Sequence, residues 1–186
     1  MNTLSHAVLN FLQVCLLTKL LPHLEENQIF RVKKAVYEFL RVGARGRNGA
    51  TPLHLACSRE SSSVGRYPIC VFPSIDVIKL LIECGADPNG RDFDLNTALH
   101  VAATASAKPS KSTLVQTLLE CGVHLDSVNR DGKAFADVLS SQPIHELVNV
   151  AKFTSLQCLA AKAVQKHAIP YRNKLPATLS DFVDLH

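Results

Sequence analysis

Apolar residues recur at helical spacing through most of the chain, and polar links cut the pattern into short segments. Residues 4 to 21 place Leu4, Ala7, Val8, Phe11, Leu12, Cys15, Leu16 and Leu20 on one broad face. Pro22 marks the stop, since its ring offers no N–H to the next helical bond. After the polar link Glu25 to Gln28, a second apolar face comprises Ile29, Phe30, Val32, Ala35, Val36, Phe39 and Leu40, with Arg31, Lys33, Lys34 and Glu38 turned outward. Residues 1–46 therefore predict a helical hairpin whose apolar face must be covered by the next part of the chain.

From 47 to 150 the pattern is periodic. Thr51-Pro52-Leu53-His54-Leu55-Ala56 is followed by an apolar helix from Val77 to Glu83 and then Gly85-Ala86-Asp87. The order recurs as Thr97-Ala98-Leu99-His100-Val101-Ala102, then Leu114 to Glu120, then Gly122-Val123-His124. A degraded third start stands at Asp131-Gly132-Lys133-Ala134-Phe135-Ala136-Asp137-Val138. Gly85 to Thr97 and Gly122 to Ala134 are both 12 residues, so the link between repeats keeps its length. Thr51 to Gly85 is 34 and Thr97 to Gly122 is 25, so the variable length lies inside repeats, in loop-like insertions at 58–73 and 104–112. These residues resemble the ankyrin repeat, with its Thr-Pro-Leu-His start and period of about 33. Gly85 and Gly122 sit where a helix ends in a left-handed residue, Thr51 is placed to cap the next helix, and Pro52 suits its first turn. Val138, Leu139, Ile144, Leu147 and Val148 predict a closing helix that starts near Pro143.

Composition narrows the function. The formal charge of +4, from 20 basic and 16 acidic residues, is spread along the chain, and no basic run interleaved with aromatics supplies a nucleic-acid track. The N-terminal apolar stretch contains His6, Asn10, Gln13 and Lys19, which argues for a buried helix over a membrane span. Six cysteines, at 15, 57, 70, 84, 121 and 158, include no C-x-x-C pair, and no His spacing suits zinc. Free thiols in a reducing compartment, cytoplasmic or also nuclear, are expected, with no metal and no cofactor. His54 and His100 stand at the fourth position of the repeat start, where resemblance to ankyrin implies a structural imidazole bonded to backbone in the adjoining turn. No nucleophile or second ligand stands at useful spacing, so no catalytic residue and no enzyme activity is expected.

The tail, 151–186, carries the more specific signal. Leu156, Ala160 and Val164 stand four apart on one helical stripe, widened by Leu159 and Ala163. A second short segment opens at Leu175-Pro176 and presents Leu179, Phe182 and Val183. The pair resembles the two-part box of cullin-RING ubiquitin-ligase receptors. Ser155, Leu156, Ala160 and Val164 stand at the positions of an elongin C-binding box, with Ala160 where Cys is commonest. Leu175-Pro176, followed by Ala177-Thr178, is nearer the cullin-two than the cullin-five version.

Together, the repeats with insertions, the run Ala35-Val36-Tyr37-Glu38-Phe39-Leu40 and the tail Leu156-Gln157-Cys158-Leu159-Ala160-Ala161 resemble the C-terminal part of the feminisation (Fem) family of ankyrin-repeat ubiquitin-ligase receptors. The resemblance runs from about residue 29 to His186. It implies an all-α ankyrin-repeat solenoid between an N-terminal helical hairpin and an elongin/cullin-box tail. Elongin C, with elongin B, would engage Leu156, Leu159, Ala160, Ala163 and Val164. Cullin-two, with its RING subunit, would engage Leu175, Pro176, Leu179, Phe182 and Val183. The family's degron-binding array is matched by nothing here, so the chain reads as a partial or divergent member with an unassigned protein substrate. The alternative is a non-catalytic ankyrin scaffold in which Leu156, Ala160 and Val164 pack inward and the last helices merely cap the stack.

Overall fold

The computed structural model describes residues 14, 16–41, 45–46, 48–58, 62–64, 67–70, 72–104, 111–139 and 144–186. The expected face from Leu4 to Leu12, Cys15, residues 105–110 and Pro143 lie outside them. Residues 16–20 are helical and lead into a 3-10 turn at Leu21–His23, with Pro22 at its start. Helix α1 (Glu26–Arg41) buries Val32, Val36 and Phe39 at the spacing i, i+4, i+7. The expected face was wider: Phe30 and Ala35 are exposed. Phe30 stands about 160° around the helix from Val32 at 100° per residue, so one packing surface cannot cover both.

The first repeat starts at Thr51 and helix α2 (Pro52–Cys57). The Thr51 N–H donates to His54 Nδ1 at 3.2 Å and the Thr51 hydroxyl lies 2.8 Å from the same nitrogen. Because Nδ1 accepts, the ring's proton sits on Nε2, which donates to the carbonyl of Asn96 at 2.7 Å. His100 repeats the arrangement in helix α4 (Ala98–Thr104): its Nδ1 accepts from the Thr97 N–H at 3.1 Å and its Nε2 reaches the Lys133 carbonyl at 3.0 Å. Each imidazole thus joins the start of one helix to the turn before the next, as the repeat resemblance implied. At the degraded start, Asp137 accepts from the Ala134 N–H at 2.9 Å. A carboxylate has no proton to donate onward, so the series of clamps ends there.

Helix α3 (Ile75–Glu83) is capped by Ser74, whose hydroxyl accepts from the Val77 N–H. It ends at Gly85, φ 91°, with Ala86 N–H bonded to Leu81 O and Gly85 N–H to Ile82 O, both at 2.9 Å. Helix α5 (Lys111–Glu120) ends the same way at Gly122, φ 90°, through Val123 N–H to Leu118 O and Gly122 N–H to Leu119 O. This Schellman pairing satisfies carbonyls that the helix end leaves open.

The repeats stack in two rows. One row is α2, α4 and α6 (Phe135–Val138); the other is α3, α5 and α7 (Ile144–Leu147). Leu53, Ile78, Leu81, Leu99, Leu114, Leu118 and Phe135 are fully buried between them. Lys33 Nζ and Glu83 Oε2, 2.8 Å apart, connect α1 to α3 at the surface. The links between repeats are tied sideways by polar groups: the Asn89 amide donates to Gly122 O and its oxygen accepts from the His124 N–H. Asn129 Nδ2 bonds Asn96 Oδ1, and the Phe93 N–H bonds Asn48 O.

The insertion at 58–73 is not purely loop. Strands β1 (Ser62–Val64) and β2 (Tyr67–Cys70) pair antiparallel, with a bulge between Ser62 and Ser63. A Ser-Pro-rich stretch carries no period that would have revealed it. Apart from this hairpin, the regular elements among the described residues are helices. No helix among the described residues is long and apolar enough to cross a membrane.

The helix ends and the imidazole clamps each have a measurable signature. A Cβ at Gly122 would meet nothing within 4 Å, so Gly122→Ala costs only the left-handed backbone penalty, about 1 kcal/mol in urea unfolding. Burial, opposed only in part by the hydrogen bonds to Asn96 and Lys133, holds both imidazoles below their ordinary pKa. The unfolded chain takes up these protons near pH ~6.5 and the folded chain resists, so unfolding free energy is complete above that pH and falls below it. Replacing His100 by Gln reduces this acid slope in pH-dependent melts; an unchanged slope would contradict the assignment.

Candidate protein-docking site

After the short helix α8 (Val150–Phe153), Ser155 caps helix α9 (Leu156–Lys166): its hydroxyl accepts from the Cys158 N–H at 3.1 Å. Helix α10 (Ala177–Leu185) packs against α9, and the Gln165 amide donates to Val183 O at 3.1 Å. The pair is held to the array at the C-terminal end of α10. Val128 N–H donates to Leu185 O at 3.1 Å, and Arg91 reaches Asp184 O at 3.0 Å. Tyr171 and Arg172 also bond the Asp184 carboxylate, and Tyr171 leads in holding that carboxyl below its ordinary pKa.

This attachment decides which way α9 faces. Cys158 and Ala161 are its buried residues, 2% and 3% exposed. Leu156 is 84% exposed, Leu159 is 52% exposed, Ala160 and Ala163 are exposed, and Val164 is half-buried. At 100° per residue these five occupy an arc of about 140°, and Cys158 and Ala161 lie on the other side of the helix. Of the three residues that a simple cap would pack inward, Leu156 and Ala160 are exposed and Val164 is half-buried. Leu156, Leu159, Ala160 and Ala163 form one exposed face, with Val164 half-buried at its edge.

The cullin-facing set divides. Leu175, Pro176 and Leu179 are exposed. Val183 is 6% exposed and Phe182 is half-buried, its ring 5.3 Å from that of His124 and 4.6 Å from that of His186. Those two residues bind α10 to the array instead of presenting it, because a nine-residue helix tied down at its C-terminal end buries its last turn. Leu156, Leu159, Ile169, Leu175 and Leu179 remain as large exposed apolar side chains on adjoining elements. Such an accumulation on two helices and the link between them marks a surface suited to a protein partner.

The repeat residues Thr51, His54, Gly85, Thr97, His100 and Gly122 are all absorbed by the architecture. Cys57, Cys84, Cys121 and Cys158 carry free thiols, and burial alone pushes the Cys57 thiol well above its ordinary range. One group of side chains was not anticipated. His124 and Asp126 of the turn after α5, Cys158 of α9 and His186 bring their ligand atoms within 4.8 Å of one another. The expectation of no metal-ligating set rested on close spacing in the chain, whereas the four here span residues 124 to 186. Only the pair His124-x-Asp126 was visible as a local signal. Burial lowers the His124 pKa, with His186 adding to the effect. Burial opposes charge on both His186 and Asp126, yet each holds the other charged, the imidazole raised and the carboxyl lowered.

The division of α9 and α10 into covered and open faces has a stability signature. Leu156→Asp changes the unfolding free energy by less than ~0.5 kcal/mol, because the side chain is in water and an acid suits the first helical turn. Val183→Asp costs at least ~2 kcal/mol through an unpaired buried charge. Equal losses in denaturant titration would mean that α9 packs by its Leu156 face after all.

Comparison with known proteins agrees with the repeat architecture. The family model described as ankyrin repeats (3 copies) matches residues 17–129. A fem-1 homologue of Drosophila melanogaster is 41% identical over 188 residues, covering 100% of this chain and 28% of that protein. The fem-1 homolog C of Danio rerio is 42% identical over 174 residues, covering 93% of this chain and 27% of that protein. The fem-1 homolog A of Homo sapiens is 40% identical over 154 residues, covering 82% and 22%. The chain spans about a quarter of the length of the curated relatives it matches. With the clamped repeat starts, the left-handed helix ends and a family match over most of its length, the chain belongs to the ankyrin-repeat family and is similar to fem-1 homologues.

Proposed function

We propose that this chain is the substrate-recognition adaptor subunit of a cullin-two, elongin B/C RING ubiquitin ligase, acting in the cytoplasm or also in the nucleus. The observation that carries the reading is the outward face of α9, with Leu156 84% exposed at the start of a helix whose other side is buried. Ankyrin repeats form a stacked surface for protein partners, and similarity to fem-1 homologues supports a protein-interaction adaptor.

In this reading α9 lays Leu156, Leu159, Ala160, Ala163 and Val164 into a groove of elongin C by the helix-in-groove mode, and elongin B joins through elongin C. Ala160 and Ala163 leave room for close approach of the partner, and Leu156 supplies the anchor. Leu175, Pro176 and Leu179 address the cullin beside it, while Phe182 and Val183 hold α10 in position. The repeats fix the spacing between this docking end and any bound substrate. The chain is not an enzyme: ubiquitin transfer belongs to the machinery that the cullin recruits through its RING subunit. Substrate capture through a longer degron-binding array is a property of the whole receptor, of which this chain corresponds to part.

The plain-scaffold alternative needs Leu156, Ala160 and Val164 turned inward; Val164 is half-buried, but Leu156 and Ala160 are exposed. Co-expression with elongins B and C tests the proposal. The wild-type chain co-purifies as a stoichiometric complex, and Leu156→Asp, which keeps the fold, weakens it about 30-fold, the equivalent of roughly 2 kcal/mol for one buried aliphatic anchor. Equal recovery of elongin C by both proteins overturns the assignment.

A further inference from the structure

We propose that His124, Asp126, Cys158 and His186 form a zinc site that fastens the docking helices to the repeat array. The inference is independent of what docks on α9. It starts from four side chains of the types that bind zinc, brought together from three places in the fold: the turn after α5, the first turn of α9 and the residue after α10. Cys158, Asp126 and His186 are 2%, 8% and 5% exposed. The two imidazoles and the carboxylate are costly to bury without partners, so packing alone gives no reason to gather them beside a buried thiol.

The spacings suit a tetrahedral ion. Zinc bonds of about 2.0–2.3 Å put neighbouring ligand atoms roughly 3.3–3.7 Å apart. His124 Nδ1 lies 3.3 Å from Cys158 Sγ, and His186 Nε2 lies 3.2 Å from Asp126 Oδ1. The widest separation in the set, 4.8 Å, closes with a movement of about 1 Å. The hydrogen bonds around the four also fit. His186 Nδ1 bonds the Phe182 carbonyl at 2.9 Å, which keeps a proton on that nitrogen and makes Nε2 the one a metal would take, displacing the proton that it shares with Asp126. Ser155 Oγ–H donates to Cys158 Sγ at 3.1 Å, the outer contact that orients a ligating side chain.

Two polar atoms of the cluster are left unsatisfied, one on the imidazole and one on the carboxylate. Asp126 Oδ2 and His186 Nε2 are buried without a hydrogen-bond partner, although Nε2 stands at ion-pair distance from Oδ1. One thiolate, two imidazoles and one carboxylate select zinc over magnesium or calcium, which prefer oxygen ligands. Four protein ligands leave no open position, so the site is structural and not hydrolytic.

Its consequence lies in geometry. Cys158 is on the covered side of α9, opposite the Leu156 face, so an ion held there sets how that face is presented. Cobalt(II) and zinc(II) titrations of the full chain, refolded or purified in chelator, test this. The expected result is one ion per chain, the intense visible bands of tetrahedral cobalt, a thiolate-to-cobalt charge-transfer band, displacement by zinc and a higher melting temperature on loading. Cys158→Ser abolishes the charge-transfer band, and Cys121→Ser leaves it intact. Should Cys158→Ser fail to fold, Asp126→Asn, which preserves size, still lowers affinity about tenfold or more while its circular dichroism stays unchanged. Absence of stoichiometric uptake, an octahedral spectrum, or a charge-transfer band insensitive to Cys158 overturns the proposal.

Discussion

Each repeat is held to the next by one imidazole. His54 and His100 accept at Nδ1 from the N–H of the threonine that begins their own helix, and that acceptance fixes the proton on Nε2, aimed at a carbonyl of the following turn. Both bonds lie in buried surroundings where a missing partner would cost about 1 kcal/mol or more, comparable to the net worth of a hydrogen bond itself. Stacking of apolar helices supplies most of the driving force, but hydrophobic contact is non-directional. The imidazole supplies the direction: it sets the distance between a helix start and the next hairpin, and so makes the stack regular.

The regularity stops where the chemistry changes. At the third start alanine replaces threonine and Asp137 stands where the histidine would be, so the local half of the clamp survives and the onward half is lost. Beyond it come two short helical segments, α7 and α8, and then the α9–α10 pair, attached by different means: hydrogen bonds from the Val128 N–H and the Arg91 guanidinium to carbonyls at the end of α10, and the side chains gathered around Cys158. A solenoid needs a terminal element that covers its last apolar face without repeating it. Here that element also carries an uncovered face of its own.

The same small segment therefore does two jobs on opposite sides of its helices. Phe182, Val183, Cys158 and Ala161 face the array, and Leu156, Leu159, Leu175 and Leu179 face solvent. Small inward residues let α9 lie close to the turn after α5, and large outward ones leave apolar area that only a partner covers. Turning α9 by half a revolution would exchange the two roles, so its rotation about its own axis is the quantity on which the adaptor reading depends.

The repeats were legible in the sequence because their determinants are local. A threonine and a histidine three apart, a glycine at the helix end and a constant 12-residue link each act within one turn or one hairpin. The α9 stripe was legible for the same reason, since residues four apart share a face in any helix. Whether that stripe points in or out depends on what it packs against, and the sequence left both readings open. Val183 and Phe182 have the same pattern as Leu179 and differ only in lying where α10 is tied down. The hairpin at 62–70 lacks a readable alternation, and Phe30 belongs to an apolar run that one packing surface cannot cover. His124, Asp126, Cys158 and His186 come from segments up to 62 residues apart, and only the folded array brings them within a few ångströms. Local spacing determined the repeat, its caps and the amphipathic helices; tertiary packing decided which apolar face is covered and which polar groups meet, because those depend on where remote segments are held.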